Sequence, residues 1–219
     1  MNEAAATEGN VTLTLMDQHI AANFGNKPAF EYNEKRYSYN DTVALMNRAG
    51  NMLRTLGVRA GDRVLIALPS SPAMVATLLG AMKIGAVAVV WSDPSSFDPI
   101  SFARQQERPV VAVVHEQYLE QLHDPLTLAG ATIITVGKSA EGPESFMELM
   151  RGSSSSLMAA RLNAGSPALL LCSPGGDSRV ISHGEIAEAL QGDSPILEQW
   201  NLLRALKAFY KGETASMNG

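Results

Sequence analysis

Apolar residues fall in short, nearly unbroken runs along this chain, and amphipathic stretches separate them. The runs are "RVLIALP", "AVAVVW", "PVVAVV", "TIITV" and "PALLLC". Runs of this length, rich in Val and Ile, fit strands buried on both faces. They predict strands at 63–68, 87–91, 109–114, 132–136 and 168–172. The intervening segments carry helix signals. Val43, Met46, Ala49, Leu53 and Leu56 follow a helical period, with Asn40 or Asp41 as the cap and Gly57 at the left-handed end position. Ser71 and Pro72 start a second helix that ends at Gly85. Further helices are predicted at 97–107, at "EQYLEQL" and at "PESFMELM", and "GSSSS" at 152–156 reads as a linker or surface loop. "PAFEYNEKRYSY" predicts a β-hairpin turning at Asn33, Glu34 and Lys35. Strands alternating with helices predict an α/β fold: a mostly parallel sheet, helices on both faces, and the N-terminal hairpin at the sheet edge.

Composition narrows the class without naming a function. The chain has 219 residues, 46% hydrophobic and 18% charged, with a net charge of −5. No basic block marks a nucleic-acid surface. The N-terminal "MNEAAATEGNVTL" lacks the features of a signal peptide, and residues 1–11 are expected to be flexible. "MVATLLGAMKIGAVAVVW" is interrupted by Lys83 and two glycines, so it reads as a helix plus a strand and not as a membrane span. A cytoplasmic protein is the expectation. The single cysteine, Cys172, excludes an internal disulfide and ends an apolar strand, where a buried thiol is the plain reading. His19, His115 and His123 lie far apart without metal-ligand spacing, so no metal site is predicted.

The stretch "LLLCSPGGDSRVISHGEI", residues 169–186, reads as a buried strand, a Gly-rich turn and a helix start. That layout suits a phosphate-holding loop, yet the loop contains no lysine. His183, next to Ser182 at the helix start, is expected in a capping position with a satisfied imidazole. Cys172, Asp177 and His183 do not make a triad merely by being close in sequence.

"YSYNDTVALMNRAGNMLRTLGVRAGDRVLIALPSSPAMVATLLGAMKIGAVAVV" resembles the N-terminal subdomain of the adenylate-forming enzymes, the acyl- and aryl-CoA synthetases. The motifs "L-G-V-x-x-G-D-R-V" and "L-G-A-x-K-x-G-A-V" carry the resemblance, which runs from about residue 12 to residue 190 and is nearest the benzoate-CoA ligase type. The resemblance implies ATP- and magnesium-dependent joining of a carboxylate to AMP, followed by transfer to CoA. It places Ser173, Pro174, Gly175, Gly176, Asp177, Ser178 and Arg179 at the front of the family's phosphate loop, and Val180, Ile181, Ser182 and His183 after it. Ser173, Gly175, Gly176, Ser178 and Arg179 are thereby the implied nucleotide contacts, and Asp177 and His183 a polar site. A "P-K-G" section of the family loop is absent here, with its lysine. Asp177 stands where the family has a hydroxyl, and a carboxylate there repels phosphate, an effect that Arg179 offsets in part. The sequence also shows no "Y-G-x-T-E" and no "T-G-D" segment, so no catalytic residue is assigned. ATP, AMP or CoA binding rests on the resemblance alone.

Beyond residue 194 the resemblance stops. "PILEQWNLLRALKAFYK" predicts an amphipathic helix over 194–211, opening at Ser194 and Pro195. Ile196, Trp200, Leu203, Leu206 and Tyr210 share a face that Leu202 and Phe209 widen. This face is expected to be buried, either on the main domain (12–193) or at an interface with a second copy or a partner protein. Residues 212–219 are expected to form a flexible tail. Three functions follow: a non-catalytic scaffold, regulatory or interaction protein; a protein that reuses the cleft for a nucleotide, CoA or an aryl acid; or one half of a split ligase. The new helix favours a separate small protein over a broken fragment.

Overall fold

A computed structural model describes residues 9–91, 108–137, 145–172, 178–191, 206 and 208–216. Its main sheet has strands β3 (Arg63–Ala67), β4 (Val87–Trp91), β5 (Pro109–His115), β6 (Thr132–Val136), β7 (Pro167–Cys172) and β8 (Ser178–Ser182). Their order is β6-β5-β3-β4-β7-β8. The first five are mutually parallel, and β8 runs antiparallel to β7. The five predicted parallel strands and the α/β class therefore stand. β8 is an addition, a short strand at the edge where the sequence suggested loop.

Strand alternation divides the core in two. Val64, Ile66, Ala88, Val111, Val113, Leu169 and Leu171 face one cluster. Leu65, Ala67, Val89, Ala112, Val114, Leu170 and Cys172 face the other. Helices α2 (Tyr39–Thr55) and α3 (Pro72–Lys83) pack on the first face, and α4 (Glu116–Leu128) brings Leu122 and Leu126 to the second. Helices α2 and α3 approach closely because Gly80 has no side chain: a Cβ there would sit 2.7 Å from the Gly50 amide nitrogen. Ser71 caps α3 and Pro72 opens it, as predicted. The cap of α2 is Ser38, which forms a capping box with Asp41, so the helix starts earlier than Asn40 or Asp41 suggested. Gly57 takes the left-handed φ of 90° expected of it. Helix α4 runs on past the predicted segment and through Pro125. A short helix, α5 (Phe146–Gly152), follows β6. The predicted helix at 97–107 lies outside the described residues. No helix among the described residues is long and apolar enough to cross a membrane.

One placement corrects the sequence reading, and three others add detail to it. The hairpin, β1 (Pro28–Tyr32) and β2 (Lys35–Ser38), forms as predicted but is not at the edge of the main sheet. It belongs to a separate three-stranded sheet, β2-β1-β9, in which β9 (Ala215–Ser216) lies parallel to β1. Ala215 and Ser216 thus pair with Phe30 and Glu31. The N-terminus is anchored from Asn10, which is fully buried with Val11 beside it. It continues as a π-helical turn, Leu13–Asp17, into α1 (Gln18–Ala21). Finally, "GSSSS" is a fixed strap across α2. The carbonyls of Ser153, Ser154, Ser155 and Ser156 accept bonds from Arg48 (2.6 Å), Asn51 (2.8 Å), Asn47 (2.8 Å) and Asn51 again (2.9 Å). Serine-rich composition suggested a linker because it supplies no apolar anchor. The anchors come from the polar face of a helix about a hundred residues away.

Candidate functional site

The carboxyl ends of β4 and β7 lie side by side, with Trp91 paired to Cys172. In parallel α/β sheets, ligands are held at this end of the strands. Residues 173–177 follow β7 in the sequence, and β8 runs antiparallel to β7, Leu170 opposite Val180 and Leu169 opposite Ile181. Ser173, Gly175, Gly176 and Asp177 lie outside the described residues. Ser178 and Arg179 lie on β8, and both are exposed.

This geometry alters the reading of the loop as a phosphate cradle leading directly into a helix. Five residues of strand separate the loop from helix α6 (His183–Gln191). The first amides of α6 are also engaged. His183 N–H donates to the Ser166 carbonyl at 2.9 Å, and Gly184 N–H to the Ala164 carbonyl at 2.7 Å. Glu185 N–H donates to Ser182 Oγ at 3.1 Å, while Ser182 N–H donates to Glu185 Oε2 at 2.8 Å. Ser182 and Glu185 therefore form a capping box, and Ser182, not His183, is the cap. The open donors that make a helix N-terminus an anion site are used within the fold at these three positions.

Arg179 is placed by the same box. Its Nη2 stands 3.6 Å from Glu185 Oε1, with both side chains about half exposed (50% and 49%). Bonds from the Ser182 amide and hydroxyl, with the Arg179 charge adding to them, hold the Glu185 carboxyl below its ordinary range. So the cation expected to offset Asp177 sits against Glu185.

His183 has a different task from the one expected. Its side chain is fully buried. Nδ1 accepts a bond from Val11 N–H at 3.2 Å, across 172 residues of sequence. Nε2 is buried and has no partner among the described residues. Burial pushes the imidazole down to about 4, so it is neutral at pH 7. A neutral ring that accepts at Nδ1 carries its proton on Nε2.

Around the N-terminal segment lies a polar cluster that the sequence reading missed. Lys83 is only 2% exposed, and its Nζ bonds to both Asp17 oxygens at 2.8 and 3.1 Å. Asn10 Nδ2 donates to the carbonyls of Lys83 (3.0 Å) and Ala160 (3.2 Å). A lysine inside an otherwise apolar helix was the available signal, since a buried lysine needs a carboxylate.

The other candidates are dispersed. The Cys172 thiol is buried. His19 packs on Tyr39 with ring centroids 4.4 Å apart, His115 caps α4 at the Gln117 amide, and His123 meets Asp124 on the surface. Trp200 and Leu203 lie outside the described residues. Leu206 and Phe209, expected either on the main domain or at an interface, are buried in this chain's own core. Phe209 meets the Phe30 ring edge-on at 6.3 Å, and its carbonyl accepts the Tyr39 hydroxyl at 3.0 Å. Burial, aided by Glu213, pushes the Tyr39 phenol up to about 12. Tyr210 is half-buried at the same seam.

Comparison with known proteins gives this arrangement a lineage. Residues 17–173 match the family described as AMP-binding enzyme. The 3-hydroxybenzoate–CoA ligase of Aromatoleum sp. (strain CIB) is 38% identical over 88 residues, 40% of this chain and 17% of that protein. The acetyl-coenzyme A synthetase of Bacillus subtilis is 39% identical over 84 residues, 36% of this chain and 15% of that one. The structure of the anthranilate CoA ligase AuaEII in complex with anthranoyl-AMP superposes on 94% of this chain with a TM-score of 0.78, at 19% identity. The match spans less than a fifth of the curated relatives' length and 44% of the AuaEII chain.

Proposed function

The chain belongs to the AMP-binding enzyme family, and we propose that by itself it is a non-catalytic relative of the acyl- and aryl-CoA ligases, a module that works by binding another protein. The observation that carries this reading is the state of the groups next to the loop. Arg179 faces Glu185, and the first three amides of α6 bond to Ser166, Ala164 and Ser182. Adenylation requires cations and open donors placed where charge develops on the phosphates. The loop 173–177 adds an aspartate and no lysine. A cytoplasmic setting belongs to the same proposal.

The test is carboxylate-dependent exchange of pyrophosphate into ATP, with benzoate, 3-hydroxybenzoate and acetate as acids and magnesium present. No exchange above background is expected, and no calorimetric binding of ATP, AMP or CoA. Exchange that disappears in Arg179→Ala would overturn the proposal. Binding of one of these ligands without exchange would instead favour reuse of the cleft.

A second reading has its own support. Because 94% of the chain superposes on 44% of a whole ligase, the chain has the form of one part of such an enzyme. Exchange activity appearing only when a polypeptide carrying the remainder of a ligase is added would establish that reading.

A further inference from the structure

The polar cluster around Asn10 and Lys83 connects parts of the chain that are remote in sequence. Asn10 is fully buried; besides its two donated bonds, its Oδ1 accepts from Thr12 N–H (3.2 Å) and from the Thr12 hydroxyl (2.7 Å). Val11 N–H reaches His183, and Asp17 reaches Lys83. The strap is tied in as well: Ala160 N–H donates to the Lys83 carbonyl at 2.8 Å, and Ala160's own carbonyl accepts from Asn10. Glycines allow this closeness. A Cβ on Gly9 would lie 2.4 Å from the Asn163 carbonyl carbon, and one on Gly184 would lie 2.9 Å from the Ala164 oxygen.

Helix α6 is therefore attached to the N-terminal segment by two routes. One is direct, through the His183 ring. The other runs through the strap, whose Ala164 and Ser166 carbonyls take the first amides of α6 and whose Ala160 is bonded to Asn10. Strand β8 itself is lightly held. β8 is an edge strand paired with β7 alone, and Ser178, Arg179 and Val180 are exposed. Units with few buried contacts open without global unfolding.

We infer that residues 10–17 are a clasp that sets how often β8 and α6 open together as a local unit. Releasing the clasp removes the donor from His183 Nδ1 and leaves both ring nitrogens buried without partners among the described residues, which favours expulsion of the ring. It also loosens the strap carbonyls that hold the helix start. Strands β3–β7 and α2 stay closed, because they share none of these bonds.

Cys172, the single cysteine of the chain and buried at the end of β7, reports the opening. A thiol reagent applied to the full chain in native buffer labels it at a rate set by exposure. In Asn10→Ala the labelling rate is expected to rise about tenfold more than the global unfolding constant measured by urea, while amide exchange in α2 follows the global constant. Asp17→Asn should behave in the same way. If Asn10→Ala does not fold, the unaltered chain decides: local opening predicts labelling that depends weakly on urea at low concentration. Labelling that follows the global unfolding constant, in the variants or in the unaltered chain, would overturn the clasp.

Discussion

Two cation–carboxylate pairs in this chain could hardly differ more. Lys83–Asp17 closes at 2.8 Å around an ammonium that is 2% exposed, while Arg179–Glu185 stands at 3.6 Å with both partners half in water. The first belongs to the N-terminal segment, whose His19 packs on Tyr39. There the N-terminal segment, the hairpin β1–β2 and residues 206–216 pack together. The second belongs to the strand that carries the family's phosphate loop. The chain's fixed polar geometry is concentrated where it holds the fold, and the loop side, where a ligase needs it for chemistry, has the looser pair.

If that contrast is right, the packed corner should be the more sensitive region. Phe209→Ala should have the largest effect. It removes a ring that is 1% exposed and touches Phe30. Phe-to-Ala changes in cores cost about 3–5 kcal/mol, and a loss of about 4 kcal/mol in urea unfolding is expected here. A loss under about 1 kcal/mol would mean that the seam is not part of the cooperative core.

Asp17→Asn comes next. It leaves the Lys83 ammonium buried without its counter-ion. Breaking a buried pair in this way costs about 3–5 kcal/mol, and the lower figure applies because Asp17 is 34% exposed. Replacing both residues, Asp17→Asn with Lys83→Met, should recover most of the loss, since the penalty arises from the stranded charge. Failure of the double variant to recover would show that Asp17 acts through its backbone turn.

The third test is pH. The folded-state pKa of His183, about 4, lies below its ordinary value of 6.5. The unfolded chain therefore binds more protons than the folded one between those values, so stability falls as pH falls through that window. From pH 7 to pH 5 the loss is expected to be about 2 kcal/mol. His183→Asn should flatten this slope, whatever it does to stability at pH 7. An unchanged slope would assign the titration to another group.

These effects also mark where sequence reading succeeds and where it stops. The five parallel strands were legible because burial on both faces demands continuous apolar runs, which no other element of that length shares. The boundaries of α2 and α3 were legible at Gly57, Ser71 and Pro72, residues with strong backbone preferences of their own. β8 was not legible. Its outer residues Ser178 and Arg179 face water, and five residues after a Gly-rich turn read equally well as loop. Nor was the clasp. Lys83 read as an interruption in an apolar run, because its partner Asp17 is 66 residues away and nothing local announces it. The same holds for His183, whose partner is a backbone amide near the other end of the chain. For the site, the sequence located the loop and its missing lysine, but it could not show that Arg179 and the first amides of α6 are engaged elsewhere.

Arg179→Ala should have the smallest effect, and it completes the comparison. An exposed pair at 3.6 Å is worth about 0–1 kcal/mol, because water screens the charges and two long side chains lose freedom in meeting. The Glu185 carboxyl keeps its bonds to the Ser182 amide, so the cap of α6 survives the change. A stability change below about 0.5 kcal/mol is therefore expected in urea unfolding. Glu185→Ala should cost more, about 1 kcal/mol, because it removes half of the capping box as well as the pair. If Arg179→Ala matched or exceeded Glu185→Ala, the arginine would be holding the hairpin by contacts other than this carboxylate. The loop side would then be built as firmly as the corner, and the contrast between a tight buried pair and a loose exposed one would fail.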